Sequence, residues 1–243
     1  QWFLDPLVPN GPDYFKNLQR IQKLIHLIDA TFLTTSPDSL SKKIPNAYFI
    51  PNPTDKSFET LSVYDNKTSK DLFFAMSHGV HRGVLKKNKF DDREFFLNKL
   101  VEKLKGVDFD LYGFNNIQPI WGTQFLEKLS NCSMALNLSR GTTLKYYSSD
   151  RISQLMGNGV LTFVDKKTKL NEIIKSNEAV FYRDINDLVK KIRFYKNNPK
   201  SRIKIAKNGK KASLERFNSE VVASYMVAKT MGCKVIKKFN WQK

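Results

Sequence analysis

Between residues 71 and 196 the chain alternates short apolar runs with helical patterns, and this rhythm constrains the fold more than any other feature. Apolar runs at 72–76, 107–112, 132–138, 160–164 and 179–182 have the length of strands. Helical segments lie between them. One opens at Asp91 or Asp92, with Glu94 placed to complete a capping box and Phe96, Leu100, Val101 and Leu104 forming an apolar face. Others cover 123–130, 149–157 and 168–175, and Asp184 caps one carrying Ile185, Leu188, Val189 and Ile192. Five strands alternating with helices predict an α/β fold: a parallel sheet with helices on both faces. In such sheets ligands bind beyond the carboxyl ends of the strands. That singles out four segments: 77–87, 113–121, 139–149 and 165–168.

The flanks follow a looser version of the same pattern. Trp2-Phe3-Leu4, 30–33 and 47–50 read as strands. Phe15, Leu18, Ile21, Leu24, Ile25 and Ile28 recur at helical spacing between the first two, and Ser36-Pro37 opens a second short helix through Lys43. These are too few strands to close a sheet alone. The segment 54–70 is polar and aperiodic and reads as a linker. Two helices are predicted near 201–216 and 219–231, with Gly232 as the stop, and the last eleven residues are basic and weakly patterned. The sequence starts at Gln1 rather than Met, and its opening reads like the middle of a domain.

Composition narrows the function classes. Lys and Arg number 41 against 23 Asp and Glu, a formal charge of +18, so the surface field favours anions: nucleotide phosphates, acidic headgroups or nucleic acid. The excess is mostly Lys and is dispersed, as codon bias in an AT-rich genome would also produce. Most aromatics fall at core-like positions, so nucleic acid is disfavoured as a partner. The two cysteines exclude a disulfide scaffold and fit a reducing compartment. No run approaches the roughly 18 apolar residues of a membrane span.

Two of the loops hold most of the polar chemistry. Ser77-His78-Gly79-Val80-His81-Arg82-Gly83-Val84-Leu85-Lys86-Lys87 combines glycines, which let backbone approach a phosphate, with cations that neutralise it. The alternative is an exposed basic loop in which His78 and His81 are bystanders. That pair lacks the Cys, Asp or Glu partners of a zinc site. The second stretch, 138–151, leaves a buried strand, crosses a polar loop with Arg140-Gly141-Thr142-Thr143 and Tyr147-Ser148-Ser149, and enters the helix that carries Arg151. A helix start capped by Ser148 or Ser149 and flanked by Arg140 and Arg151 reads as an anion site. Routine capping with two solvent arginines is the plain alternative. No Gly-x-Ser-x-Gly elbow, P-loop or Gly-x-Gly-x-x-Gly fingerprint is present.

The run Asp150-Arg151-Ile152-Ser153-Gln154-Leu155-Met156-Gly157-Asn158-Gly159, followed by the apolar strand that ends at Asp165, resembles the donor-site signature of group 1 glycosyltransferases. It is closest to the branch related to spore-maturation enzymes. That branch reads Arg, two residues, Glu-Ala-Met-Ala-x-Gly, then a strand ending in Asp. Arg151, Met156, Gly159 and Asp165 match. Gln154 stands in place of the Glu, and Leu155 and Gly157 in place of the two Ala. Pro51-Asn52-Pro53-Thr54-Asp55 with Phe58 resembles the element joining the two domains of this fold.

The resemblance implies a GT-B architecture, in which two Rossmann-like domains face a cleft. Residues 68–217 would form the nucleotide-sugar-binding domain. Residues 1–55 would be an incomplete acceptor-side domain, 56–70 the linker, and 218–243 a closing helix that crosses back plus a basic tail. The implied activity is transfer of a sugar from a nucleotide-diphosphate sugar to a glycan or other acceptor, in polysaccharide assembly, with no bound metal or cofactor. Arg82 and Lys86 or Lys87 fall where the family contacts pyrophosphate. Tyr147, Ser148, Ser149 and Arg151 face the diphosphate, and Gln154 takes the place of a Glu that holds the ribose. A cytoplasmic location, with visits to an acidic inner-membrane surface, accompanies this reading. The competing reading is a non-catalytic polyanion binder. A phosphorylase would need a phosphate-specific site that the sequence does not display.

Overall fold

The computed structural model describes residues 1–4, 7–9, 13–77, 91–141, 143–147, 149–233, 239 and 241. Its main body is a five-stranded sheet of β4 (Lys70–Ala75), β5 (Phe109–Tyr112), β6 (Cys132–Asn137), β7 (Leu161–Asp165) and β8 (Val180–Tyr182). The order is β5-β4-β6-β7-β8, and every pair is parallel. All five predicted strands are present, and the predicted fold class is borne out.

Alternation along β4 shows why both faces are covered. Leu72 and Phe74 join α2 (Asp92–Lys103) and α5 (Ile185–Asn197) on one side, through Leu97, Leu100, Leu188 and Ile192. Phe73 and Ala75 join α3 (Gly122–Ser130) and α4 (Arg151–Gly157) on the other, through Phe125, Leu129 and Leu155. The capping box at Asp91 and Glu94 forms as expected. The apolar stripe of α2 is turned by one position: Leu97 is buried, whereas Val101 is exposed. Asp184 accepts hydrogen bonds from the amides of Asn186 and Asp187, capping α5. Pro199 then opens α6 (Pro199–Arg216) at its first turn.

A second, three-stranded parallel sheet carries β1 (Trp2–Phe3), β2 (Thr31–Leu33) and β3 (Ala47–Phe49) in that order. Helix α1 (Tyr14–Leu24) packs Leu18 and Ile21 against Phe3 and Leu33. Two predicted helices are shorter than their patterns. The segment after Ser36 makes only a 3-10 turn, Pro37–Ser39. There the Ser39 hydroxyl donates to Ser36 O, and Ser36 N is tied to Lys145 O, a local and a tertiary bond that replace helix propagation. The 168–175 helix is instead two 3-10 turns separated by Lys169 in a left-handed conformation.

The two sheets are joined at residues 50–54 and 217–219. Thr54 N donates to Phe217 O, and Ser219 N returns a bond to Thr54 O. Helix α7 (Ser219–Thr230), capped by Asn218, then places Tyr225 against Phe32 and Tyr48 of the smaller sheet. The tail is more ordered than its pattern suggested at two positions. Phe239 and Trp241 are buried against Tyr225, with ring centroids 5.0 and 5.8 Å away.

Candidate functional site

The order β5-β4-β6 means that the chain leaves β4 to one side, then returns to its other side. This creates a topological switch point at the carboxyl ends of β4 and β6, the place where an open parallel sheet forms a crevice. A cavity of about 280 Å³ opens there. Its walls come from Ala75, Met76 and Ser77 after β4, from Trp121 and Phe125 at the start of α3, from Arg151 and Gln154 on α4, and from Phe58 and Glu59 after β3. Gly113 lets the loop after β5 close onto the end of β4. Its φ is +74°, and a Cβ there would lie 2.0 Å from Met76 O.

Arg151 ties the two strand ends together. Its Nε donates to Ala75 O at 2.8 Å, and its Nη1 donates to Leu138 O at 3.0 Å and to Ser149 Oγ at 3.2 Å. The guanidinium lies 4.8 Å from the Phe74 ring centroid. It is only 8% exposed. Burial, and then the charge of Arg93, pull its pKa down to about 10. The group therefore stays charged at neutral pH, held mainly by carbonyl oxygens. The N-cap of α4 is Asp150, in helical conformation, rather than Ser149, and it makes no side-chain capping bond.

Arg140 turns the other way. Its Nε lies 3.9 Å from Asp91 and 4.0 Å from Asp92, while Gly141 N donates to Asp92 Oδ2 at 2.6 Å. Asp91 is itself buried under Arg93, which grips both its oxygens at 2.7 and 2.8 Å. Burial alone would raise this carboxyl, but the bonds and charge of Arg93 hold it well below the usual range. Tyr147 packs with Val8 and Leu144. Of the residues the sequence singled out, Arg151 and Gln154 line the cavity, whereas Arg140, Tyr147 and Ser149 do not. Arg82, Lys86, Lys87 and Ser148, with His78 and His81, lie outside the described residues.

Trp121, 58% exposed, is the N-cap of α3 and closes the predicted ligand segment 113–121, which named no single residue. One cavity residue escaped the sequence reading. Glu59 lies in the stretch that reads as an aperiodic linker, yet it is 8% exposed and lines the cavity. Its Oε2 accepts from Asp55 N at 2.7 Å, and burial raises its pKa. Asp55 in turn is lowered to about 2 by bonds from the Ser219 hydroxyl and from Ser57. The available signal was Gly157. A glycine inside a helix marks a place where another segment packs closely.

A family model described as "Glycosyl transferase-like" matches residues 92–228, more than half of the chain. The chain belongs to this glycosyltransferase family. Solved structures agree on the GT-B fold. TarM aligns with a TM-score of 0.61 and 13% identity over 88% of this chain and 46% of its own. Anabaena Alr3699/HepE, in complex with UDP and glucose, aligns with a TM-score of 0.63 and 12% identity over 95% of this chain and 70% of its own. An alpha-glucosyltransferase in complex with UDP-glucose and DNA containing an abasic site gives 0.63, 12%, 95% and 71% for the same quantities. This member of the family thus spans about half the length of TarM. No curated protein sequence matches it. Among its described residues no helix is long and apolar enough to cross a membrane.

Proposed function

We propose that this chain is the donor-binding part of a glycosyltransferase that moves a sugar from a nucleotide-diphosphate sugar to a glycan or other acceptor. The observation that carries this reading is the cavity at the β4/β6 switch point. It is concave and of a size near the lower end for small ligands, and it combines apolar walls with a few polar groups. The Arg151 guanidinium gives it a fixed positive charge, and Gln154 gives it an amide. Neighbours of like fold with UDP or UDP-glucose in their complexes favour a nucleotide-sugar ligand.

In this reading residues 68–217 form the donor domain, and residues 1–55 are the acceptor-side part, joined by 56–70 and closed by 218–243. Arg82, Lys86 and Lys87 supply cations to the diphosphate, with Ser148 and Ser149 beside it. Arg140 and Tyr147 support the loop that carries them. Charge that develops on the departing diphosphate is met by these groups, without a bound metal. The net charge of +18 suits cytoplasmic work at an acidic membrane surface and steers anionic donors inward.

Thermal unfolding against UDP, GDP, dTDP, ADP, CMP and heparin tests the reading. A shift with one nucleoside diphosphate supports it and names the base. A shift with heparin alone would favour the polyanion binder.

A further inference from the structure

We propose that Glu59, reaching the cleft from the segment after β3, is the residue that recognises a vicinal diol of the bound donor. This rests on the donor-site reading above. Glu59 is a buried carboxylate whose hydrogen-bond donors are backbone amides, that of Asp55 and its own. Among the described residues no side chain donates to it, and it forms no ion pair. The influences on its titration are burial, the amides of Asp55 and of Glu59 itself and the like charge of Asp55, and no cation is among them. A buried carboxylate without a cationic partner is costly unless something else supplies donors. Glu59 shares the cavity wall with Gln154 and Arg151. Arg151 is committed to Ala75 O and Leu138 O, so it does not neutralise Glu59.

Helix α4 is shaped to admit this side chain. A Cβ at Gly157 would lie 2.5 Å from Glu59 Cγ, 2.8 Å from Glu59 Cβ and 2.6 Å from Thr54 Cγ2. Residues 154 and 157 are three apart and share a helix face. The same face thus presents the Gln154 amide and, one turn on, makes room for the Glu59 stem. A carboxylate only accepts hydrogen bonds, whereas an amide both donates and accepts. Together they match two adjacent hydroxyls, each of which can donate and accept, with the carboxylate taking the charge-assisted bonds. Such a diol belongs to the ribose of the nucleotide or to the ring of the transferred sugar.

Titration calorimetry on wild type, Glu59→Gln and Glu59→Asp separates the two sources. The probes are UDP, GDP, ADP and CDP, their 2′-deoxy forms, and UDP-glucose. If the diol is the ribose, wild type prefers the ribonucleotide to its deoxy form by about tenfold or more, the scale of a hydrogen bond to a charged group. Glu59→Gln then brings that ratio close to one, and Glu59→Asp, which keeps the charge on a shorter stem, retains part of it. If the diol is on the sugar, Glu59→Gln weakens UDP-glucose while leaving UDP unchanged. Should Glu59→Gln not fold, Glu59→Asp gives the same comparison. Equal losses for all probes, or no loss, would overturn the role of Glu59 and leave the donor site standing. Failure of wild type to bind any of these probes would remove the donor-site reading itself, and this proposal with it.

Discussion

Helices α2 and α4 begin beside the same sheet edge, yet they begin in opposite ways. At α2 the chain satisfies itself. Asp91 and Glu94 exchange capping bonds, Arg93 grips Asp91 with two nitrogens, and Arg140 lies near both Asp91 and Asp92. At α4 the N-cap Asp150 makes no side-chain capping bond, Arg151 braces two strand ends, and the neighbouring polar groups of Gln154 and Glu59 face a cavity. One helix start is closed by its own side chains, and the other opens on a cavity. Where charge and hydrogen bonding close internally, the residues contribute to stability. Where they remain open in a crevice, they are available to a ligand.

Four substitutions break or sharpen this contrast. Arg151→Ala has the largest expected effect. It leaves Ala75 O and Leu138 O without their donor in a buried setting, at about 1–3 kcal/mol for each group, and urea unfolding should show a drop of that combined size. Nucleotide affinity should fall as well, because the strand ends form the cavity floor.

Asp91→Asn comes next, at about 2–4 kcal/mol, because Asn still caps α2 but leaves the buried Arg93 without its carboxylate. Its signature is the pH dependence. The folded pKa of Asp91 lies below its unfolded value of roughly 3.9, so its contribution is present above that value and is lost as pH falls below it. Wild type should therefore lose stability between pH 5 and pH 2 more steeply than Asp91→Asn does. Nucleotide affinity should be unchanged, and a parallel loss of binding would erase the distinction between the two helix starts.

Gly157→Ala should destabilise by about 1–3 kcal/mol through overpacking against Thr54 and Glu59. It should also weaken ribonucleotide binding by displacing the Glu59 stem. The smallest effect is one of sign. Burial raises the Glu59 pKa, so its contribution to stability is greatest below its unfolded pKa and is lost as pH rises through the folded value. Glu59→Gln should accordingly make the ligand-free protein relatively more stable at pH 8 than at pH 5, as thermal unfolding at the two pH values would show.

The sheet was legible in the sequence because its strands are near-continuous apolar runs separated by capped helices, and Asp91 with Glu94 and Asp184 announced two helix starts by residue type alone. The shortened elements at 37–39 and 166–172 were not legible. Their helical patterns are overridden by the Ser36–Lys145 contact and by the left-handed Lys169, which are visible only in three dimensions. The site divides in the same way. Arg151 follows from its place in a strand-loop-helix motif, and Gln154 from the resemblance to the donor-site signature. Arg140 looked equivalent to Arg151 in sequence, but its direction depends on where Asp91 and Asp92 fall in the fold. Glu59 was hidden because it lies almost a hundred residues from Gln154 and Gly157, in a segment without periodicity.

The most direct test of a nucleotide-diphosphate site at the β4/β6 switch point uses a variant that fills the cavity without removing a bond of the fold. Ser77 is exposed and lines the cavity, so Ser77→Trp does this. Calorimetric titration should show one nucleoside diphosphate binding wild type at one site per chain. The variant should bind it at least about tenfold more weakly, with an unchanged unfolding midpoint. Equal affinity in the two proteins would place the ligand elsewhere and contradict the account.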